Sequence, residues 1–131
     1  MADLEALELE EWSGPVSPRF QYTVRVALTR REAGLFLSGS RKAGGRTTEV
    51  ERALTAAAAA PIEALVAKLP RADQDWIGAR RDRKGVSFNH LIVRRGPVTT
   101  RFDYLLGDLE APDRADFAAA IAALKALLED A

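Results

Sequence analysis

Phe20, Tyr22, Val24, Val26 and Leu28 alternate with Gln21, Thr23, Arg25, Ala27 and Thr29. A period of two sends each set to its own face of an extended chain, so this run predicts a strand with one buried side. Upstream, Leu7 and Leu9 alternate with glutamates as far as Trp12, and Ser13-Gly14-Pro15-Val16-Ser17-Pro18 follows. A short first strand and a Pro/Gly turn are the expectation, although Leu4 and Leu7 also suit an N-terminal helical turn. Downstream, Leu35-Phe36-Leu37-Ser38 is the expected hairpin partner of the strand at 20–28, and at a sheet edge it is placed to pair across a dimer. The polar, Gly-rich stretch from Ser38 to Arg46 reads as a flexible loop.

Residues 47–69 support two readings. Thr48-Glu49-Val50-Glu51 matches a capping box, and Val50, Leu54, Ala58, Ile62, Leu65, Val66 and Leu69 keep helical spacing, so one long helix kinked at Pro61 is possible. In the preferred alternative, Thr48, Val50 and Leu54 belong to a strand, Thr55 caps a shorter helix from residue 56, and Pro70 ends it. Val86, Phe88, His90 and Ile92 then alternate, as do Val98, Thr100, Phe102, Tyr104 and Leu106, with Arg95-Gly96-Pro97 between them, which predicts a hairpin. Aligning those two apolar sets on one face puts His90 in the core and Asp103 on the opposite side. Finally, Phe117, Ile121, Leu124 and Leu128 follow helical spacing behind Pro112-Asp113, with Asp113 as N-cap and Asp116 near the positive end of the dipole. The expected fold is α+β, one domain over 1–131: an antiparallel sheet of four to six strands with two helices packed on one face.

Composition narrows the chemistry. The 131 residues include no cysteine and a single histidine, which removes disulfides and thiolate metal sites. No apolar segment approaches the length of a membrane helix, and the acidic start does not resemble a secretory signal, so a cytoplasmic location and no membrane contact are expected. Net charge is zero but unevenly spread: residues 1–12 carry five acids and no base, 102–131 seven acids and two bases, and the middle is basic. Acidic ends folded beside that middle would cancel it; otherwise a basic face remains for an anionic partner.

Three constellations carry candidate chemistry. Ser87, His90 and Asp103 contain the residue types of a triad, but the apolar alignment separates His90 from Asp103; an imidazole on an open face against a carboxylate would restore catalysis. Asp73, Asp75 and Asp82 beside Trp76 lack the opposition across a cleft that paired-carboxylate chemistry needs. Arg80, Arg81, Arg83 and Lys84, with Arg94 and Arg95 at the hairpin turn, form the strongest charge feature and the candidate binding site for phosphate, a carboxylate or an acidic protein surface. No phosphate-binding glycine spacing or nucleic-acid signature is present, so no cofactor, no metal and no nucleic-acid partner is expected. Trp12, Trp76, Phe36 and Leu105 default to the core; exposed together they would mark an interface.

The segment Ser13–Tyr22 looks like the approach to the leading strand in small bacterial α+β proteins of uncharacterised role. The element order is similar to that of emfourin-type inhibitors of secreted metalloproteases and of small toxin-immunity proteins. That resemblance implies a non-enzymatic module that binds, and inhibits, a toxin, a protease or its own kind. The alternative is a small-molecule or anion-binding module built on the arginine-rich loop.

Overall fold

The computed structural model describes residues 4–14, 18–78 and 89–129. Seven strands form one mixed sheet: β1 (Leu4–Trp12), β2 (Tyr22–Arg31), β3 (Gly34–Ala43), β4 (Arg46–Ala53), β5 (Gln74–Asp75), β6 (Asn89–Arg95) and β7 (Val98–Tyr104). Their order is β4-β3-β2-β1-β6-β7-β5, every neighbouring pair antiparallel except β5–β7. The architecture is therefore α+β as expected, with more strands than expected and one parallel pair. Two helices, α1 (Ala56–Ala67) and α2 (Ala115–Ala126), bury their apolar sides with Leu9, Val26, Leu37, Leu91 and Phe102 in one core.

The short-helix reading of 47–69 holds. Thr55 adopts an extended backbone and its hydroxyl accepts from the Ala58 N–H at 3.1 Å, satisfying one of the orphan donors of the first turn. At the other helix, a 3-10 turn (Pro112–Arg114) precedes α2, so Asp113 is not its N-cap; Phe117, Ile121, Leu124 and Leu128 are buried as their spacing requires. Phe117 sits in an aromatic group with Trp76, Phe102 and Tyr104 at centroid distances of 4.8, 5.4 and 5.1 Å.

Two expectations are overturned. Residues 38–46 are not a loop: β3 continues to Ala43, β4 starts at Arg46, and only Gly44-Gly45 turns the chain, both with positive φ as a type I′ turn needs. Gly39 is there for space, since a Cβ at that position would lie 2.7 Å from the Arg25 carbonyl oxygen and 2.7 Å from Leu128 Cδ2. With β4 outside it, β3 is an interior strand and residues 35–38 are not an edge.

The second correction is the register of the β6–β7 hairpin. Gly96-Pro97 is a two-residue connection, so Arg95 pairs with Val98 and, further from the turn, Leu91 with Phe102 and His90 with Asp103. Asn89, Leu91, Val93 and Arg95 face the core, while His90 and Ile92 lie on the other side. Leu91 and Val93, opposite Leu9 and Leu7 of β1, are completely buried, and that burial selects the face. Val86 and Phe88, which suggested the opposite alignment, lie outside the described residues.

Because one of the two atoms meeting a Cβ at Gly39 is a backbone carbonyl oxygen inside the sheet, Gly39→Ala is expected to cost about 1–3 kcal/mol by overpacking. A urea midpoint unchanged from wild type would contradict this account of the Gly-rich strand.

Candidate functional site

Both α-helices pack on one side of the sheet, and among the described residues no helix covers the other face. Period-two alternation sends Glu8, Glu10 and Trp12 of β1 to that face while Leu7, Leu9 and Glu11 point inward. Across the strands the open-face residues stand in rows. One row runs Glu49, Ser40, Arg25, Glu10, His90, Asp103, and the next Glu51, Ser38, Ala27, Glu8, Ile92, Arg101.

The first row is a chain of alternating charge. Arg25 Nε lies 3.0 Å from Glu10 Oε1, His90 Nε2 lies 3.4 Å from Glu10 Oε2, and Arg101 Nε donates to both Asp103 carboxylate oxygens at 3.0 and 3.2 Å. His90 is half-buried on the open face, flanked by two carboxylates, which reverses the expected separation from Asp103. Ser87 lies outside the described residues. Each flanking acid is already engaged by an arginine, and the His90–Glu10 contact is longer than a well-formed hydrogen bond.

Trp12 is 40% exposed on this face and separates two hollows of about 340 Å³ each, one reaching Glu10, Arg25 and His90, the other Lys42, Gly44 and Gly45. A broader trough of about 550 Å³ lies over Ala27, Ser38 and Ser40, rimmed by Glu8, Glu49 and Glu51 and by Arg25, whose charge is paired with Glu10. Small side chains on β2 and β3 make the depression. None of the three rim glutamates has an ion-pair partner among the described residues. The other large apolar groups distribute differently. Phe36 is half-buried on the open face beneath the Arg31 guanidinium, Trp76 leans on the core under Arg114, and Leu105 is buried.

Of the six basic candidates, Arg80, Arg81, Arg83 and Lys84 lie outside the described residues. Arg94 is exposed on the open face, but Arg95 is only 1% exposed and points to the opposite side. Its Nη1 donates to the carbonyls of Val66 and Leu69, both at 3.0 Å, and its Nη2 to that of Pro70 at 2.6 Å. Arg95 therefore satisfies the carbonyls that end α1 and is no surface anion donor. Asp73 and Asp75 are likewise structural: Asp73 accepts from the Arg101 N–H, and Asp75 from the N–H groups of Ile77 and Gly78. Asp82 lies outside the described residues.

A buried polar cluster that the alternation pattern does not announce sits under the sheet. The Glu11 carboxylate is 1% exposed; Oε1 accepts from the Tyr104 hydroxyl at 2.7 Å, and Oε2 accepts from the Tyr22 hydroxyl at 3.0 Å and from Lys125 Nζ at 2.8 Å. Burial, reinforced by the adjacent Glu11 charge, raises both phenols above their ordinary 10.0. The only signal for this cluster is that Glu11 shares the inward parity of Leu7 and Leu9. Among the described residues no cluster of three or more His, Cys, Asp or Glu is arranged to hold a metal ion, and no helix is long and apolar enough to cross a membrane.

No family model matches the chain, and no curated protein or solved structure matches it either.

The raised phenols set an alkaline limit on stability. Above about pH 10 the tyrosines of the unfolded chain ionise while Tyr22 and Tyr104 keep their protons in the fold, so the unfolded state holds fewer protons and stability falls as pH rises. Urea midpoints measured from about pH 8 to about pH 11 are expected to decline less steeply for Tyr104→Phe than for wild type. Parallel declines would contradict the assignment.

Proposed function

We propose that this chain is a non-enzymatic protein-binding module of the inhibitor or immunity type, acting in the cytoplasm on a toxin or protease. The observation that carries the reading is the open sheet face. Both helices are spent on the other side, and this face leaves a tryptophan 40% exposed and, in a separate trough, three glutamates that have no ion-pair partner among the described residues. Tryptophan is enriched among residues that dominate binding energy, and uncompensated charge elsewhere on the same face supplies orientation and on-rate.

Capture with the full chain at low salt is expected to retain a protein partner, and Trp12→Ala to weaken that complex by about 2 kcal/mol, roughly thirtyfold. If nothing macromolecular is retained at low salt, the module reading fails.

One observation favours a second reading, a hydrolase centred on His90: the imidazole lies 3.4 Å from Glu10 on an accessible face, with Asp103 its ladder partner on the other side. A histidine oriented by a carboxylate is the arrangement general-base chemistry uses. It ranks second because both acids are already committed to Arg25 and Arg101. Any ester or amide hydrolysis by the purified chain is expected to persist in His90→Ala; its complete loss would promote the enzymatic reading over the binding one.

A further inference from the structure

The two edges of the sheet are finished differently. At the far edge the two-residue β5 covers the end of β7, where the Arg101 N–H is taken by Asp73 Oδ1 at 2.8 Å and the Asp103 carbonyl by the Trp76 N–H at 3.0 Å. At the β4 edge the outward backbone groups are free among the described residues. The Leu54 N–H donates to the Leu35 carbonyl at 2.8 Å, which marks that pair as hydrogen-bonded in the β3–β4 ladder. Every second pair shares this character, so Arg52, Val50 and Thr48 turn their backbone groups toward β3. Thr47, Glu49, Glu51 and Ala53 therefore direct theirs off the sheet.

Nothing in the backbone blunts this edge. β4 has eight residues, with no proline, no glycine and no bulge, and its register with β3 is unbroken from Arg46 to Ala53. Its charges decide what can pair with it. The outward-bonding residues Glu49 and Glu51 send their side chains to the open face, at the rim of the acidic trough that Glu8 closes from the other side. A second copy is the wrong occupant: in any well-overlapped antiparallel pairing of two β4 edges through these groups, Glu49 and Glu51 of one copy fall directly opposite or diagonal to those of the other.

We propose that the β4 edge accepts an extended segment of a partner protein as an eighth strand, one whose alternate side chains are lysine or arginine. The backbone ladder supplies affinity, and Glu49 and Glu51, a cross-strand pair distance away, supply the choice of sequence. The acids that prevent self-addition thereby specify a basic guest. The inference rests on the protein-binding reading and names the chemistry of the partner.

The probe is a labelled synthetic peptide of alternating Lys and Thr, as long as β4, titrated against the full chain at low ionic strength. It is expected to bind at least about tenfold tighter than its Glu–Thr counterpart, and the double variant Glu49→Lys, Glu51→Lys to invert that order. Glu49→Pro removes an N–H that faces away from the sheet, a position edge strands tolerate, so the fold is kept while binding of the Lys–Thr peptide drops. Methylating alternate amides of the peptide has the same effect. No binding of the Lys–Thr peptide, or binding indifferent to both the proline and the methylated amides, overturns the proposal, as does a chain that dimerises in solution and becomes monomeric with Glu49→Pro. A captured partner that Glu49→Pro retains at full strength upholds the binding module and overturns the edge; peptide binding at the edge with no partner captured does the reverse.

Discussion

The carboxylate of Glu11 is the constraint around which the molecule is assembled. A lone buried carboxylate is too costly to keep charged in an apolar core, so its two oxygens must be met. They are met by Tyr104 from β7, Tyr22 from β2 and Lys125 from α2, three elements that the chain must bring to one point on β1. A one-residue slip of β1 would turn Glu11 to solvent and drive Glu10 and Trp12 into the core. A one-turn slide of α2 would carry Lys125 away by about 5.4 Å and leave the charge uncompensated. Apolar burial says which face of α2 goes down; the Glu11 cluster says where along the sheet it stops.

Arg95 does the same at the far end of the core. Its guanidinium closes three carbonyls at the C-terminus of α1, so α1 is tied to β6 as α2 is tied to β1. Arg30 adds a third tie, donating to the Leu4 carbonyl at 3.0 Å and pairing with Glu63 of α1 at 2.6 Å. With both helices anchored by polar groups from the sheet's inner side, the opposite side has no helix to hold among the described residues. That division of labour is why the open face, and not a helix surface, is the natural place for recognition.

Elements were legible where a single periodicity ran unopposed. The ten-residue alternation around Val24 and Val26 could be nothing but a strand, and Thr55 ahead of the Ala56–Ala60 run, with Pro70 behind Leu69, marked α1 at both ends. Legibility failed where a residue type has two uses. Gly39 and Ser40 read as loop because small polar residues favour turns, yet here they leave room for Leu128 above the inner face and floor a trough on the outer. In β6, Asn89, Leu91, Val93 and Arg95 lost to His90 and Ile92 because the inward set begins and ends with polar residues. Those ends are satisfied only by tertiary partners, the Trp12 N–H donating to Asn89 Oδ1 and the α1 carbonyls accepting from Arg95, which no local pattern displays. The candidate site suffered the same loss, since the arginines stood out by number while the open-face row of Arg25, Glu10, His90 and Asp103 is drawn from four separate strands.

Zero net charge is the least informative number about this protein, because the balance is local. Acids of the chain ends meet bases of the middle at Glu10–Arg25 and Glu129–Arg41, so part of the segregation visible along the chain is cancelled by folding. Glu11 is neutralised from within the acidic C-terminal segment itself, by Lys125. What survives is set by geometry: Glu8, Glu49 and Glu51 converge on one trough, while Arg94 lies on the far side of β1 and Lys42 beside Trp12. At physiological ionic strength charges act over about 8 Å, so a partner approaching this face meets the acidic trough before it senses the neutral whole. A surface whose total charge cancels can therefore still discriminate by position, and the discrimination is sharpest at β4, where carboxylates and backbone groups without a partner among the described residues belong to the same residues.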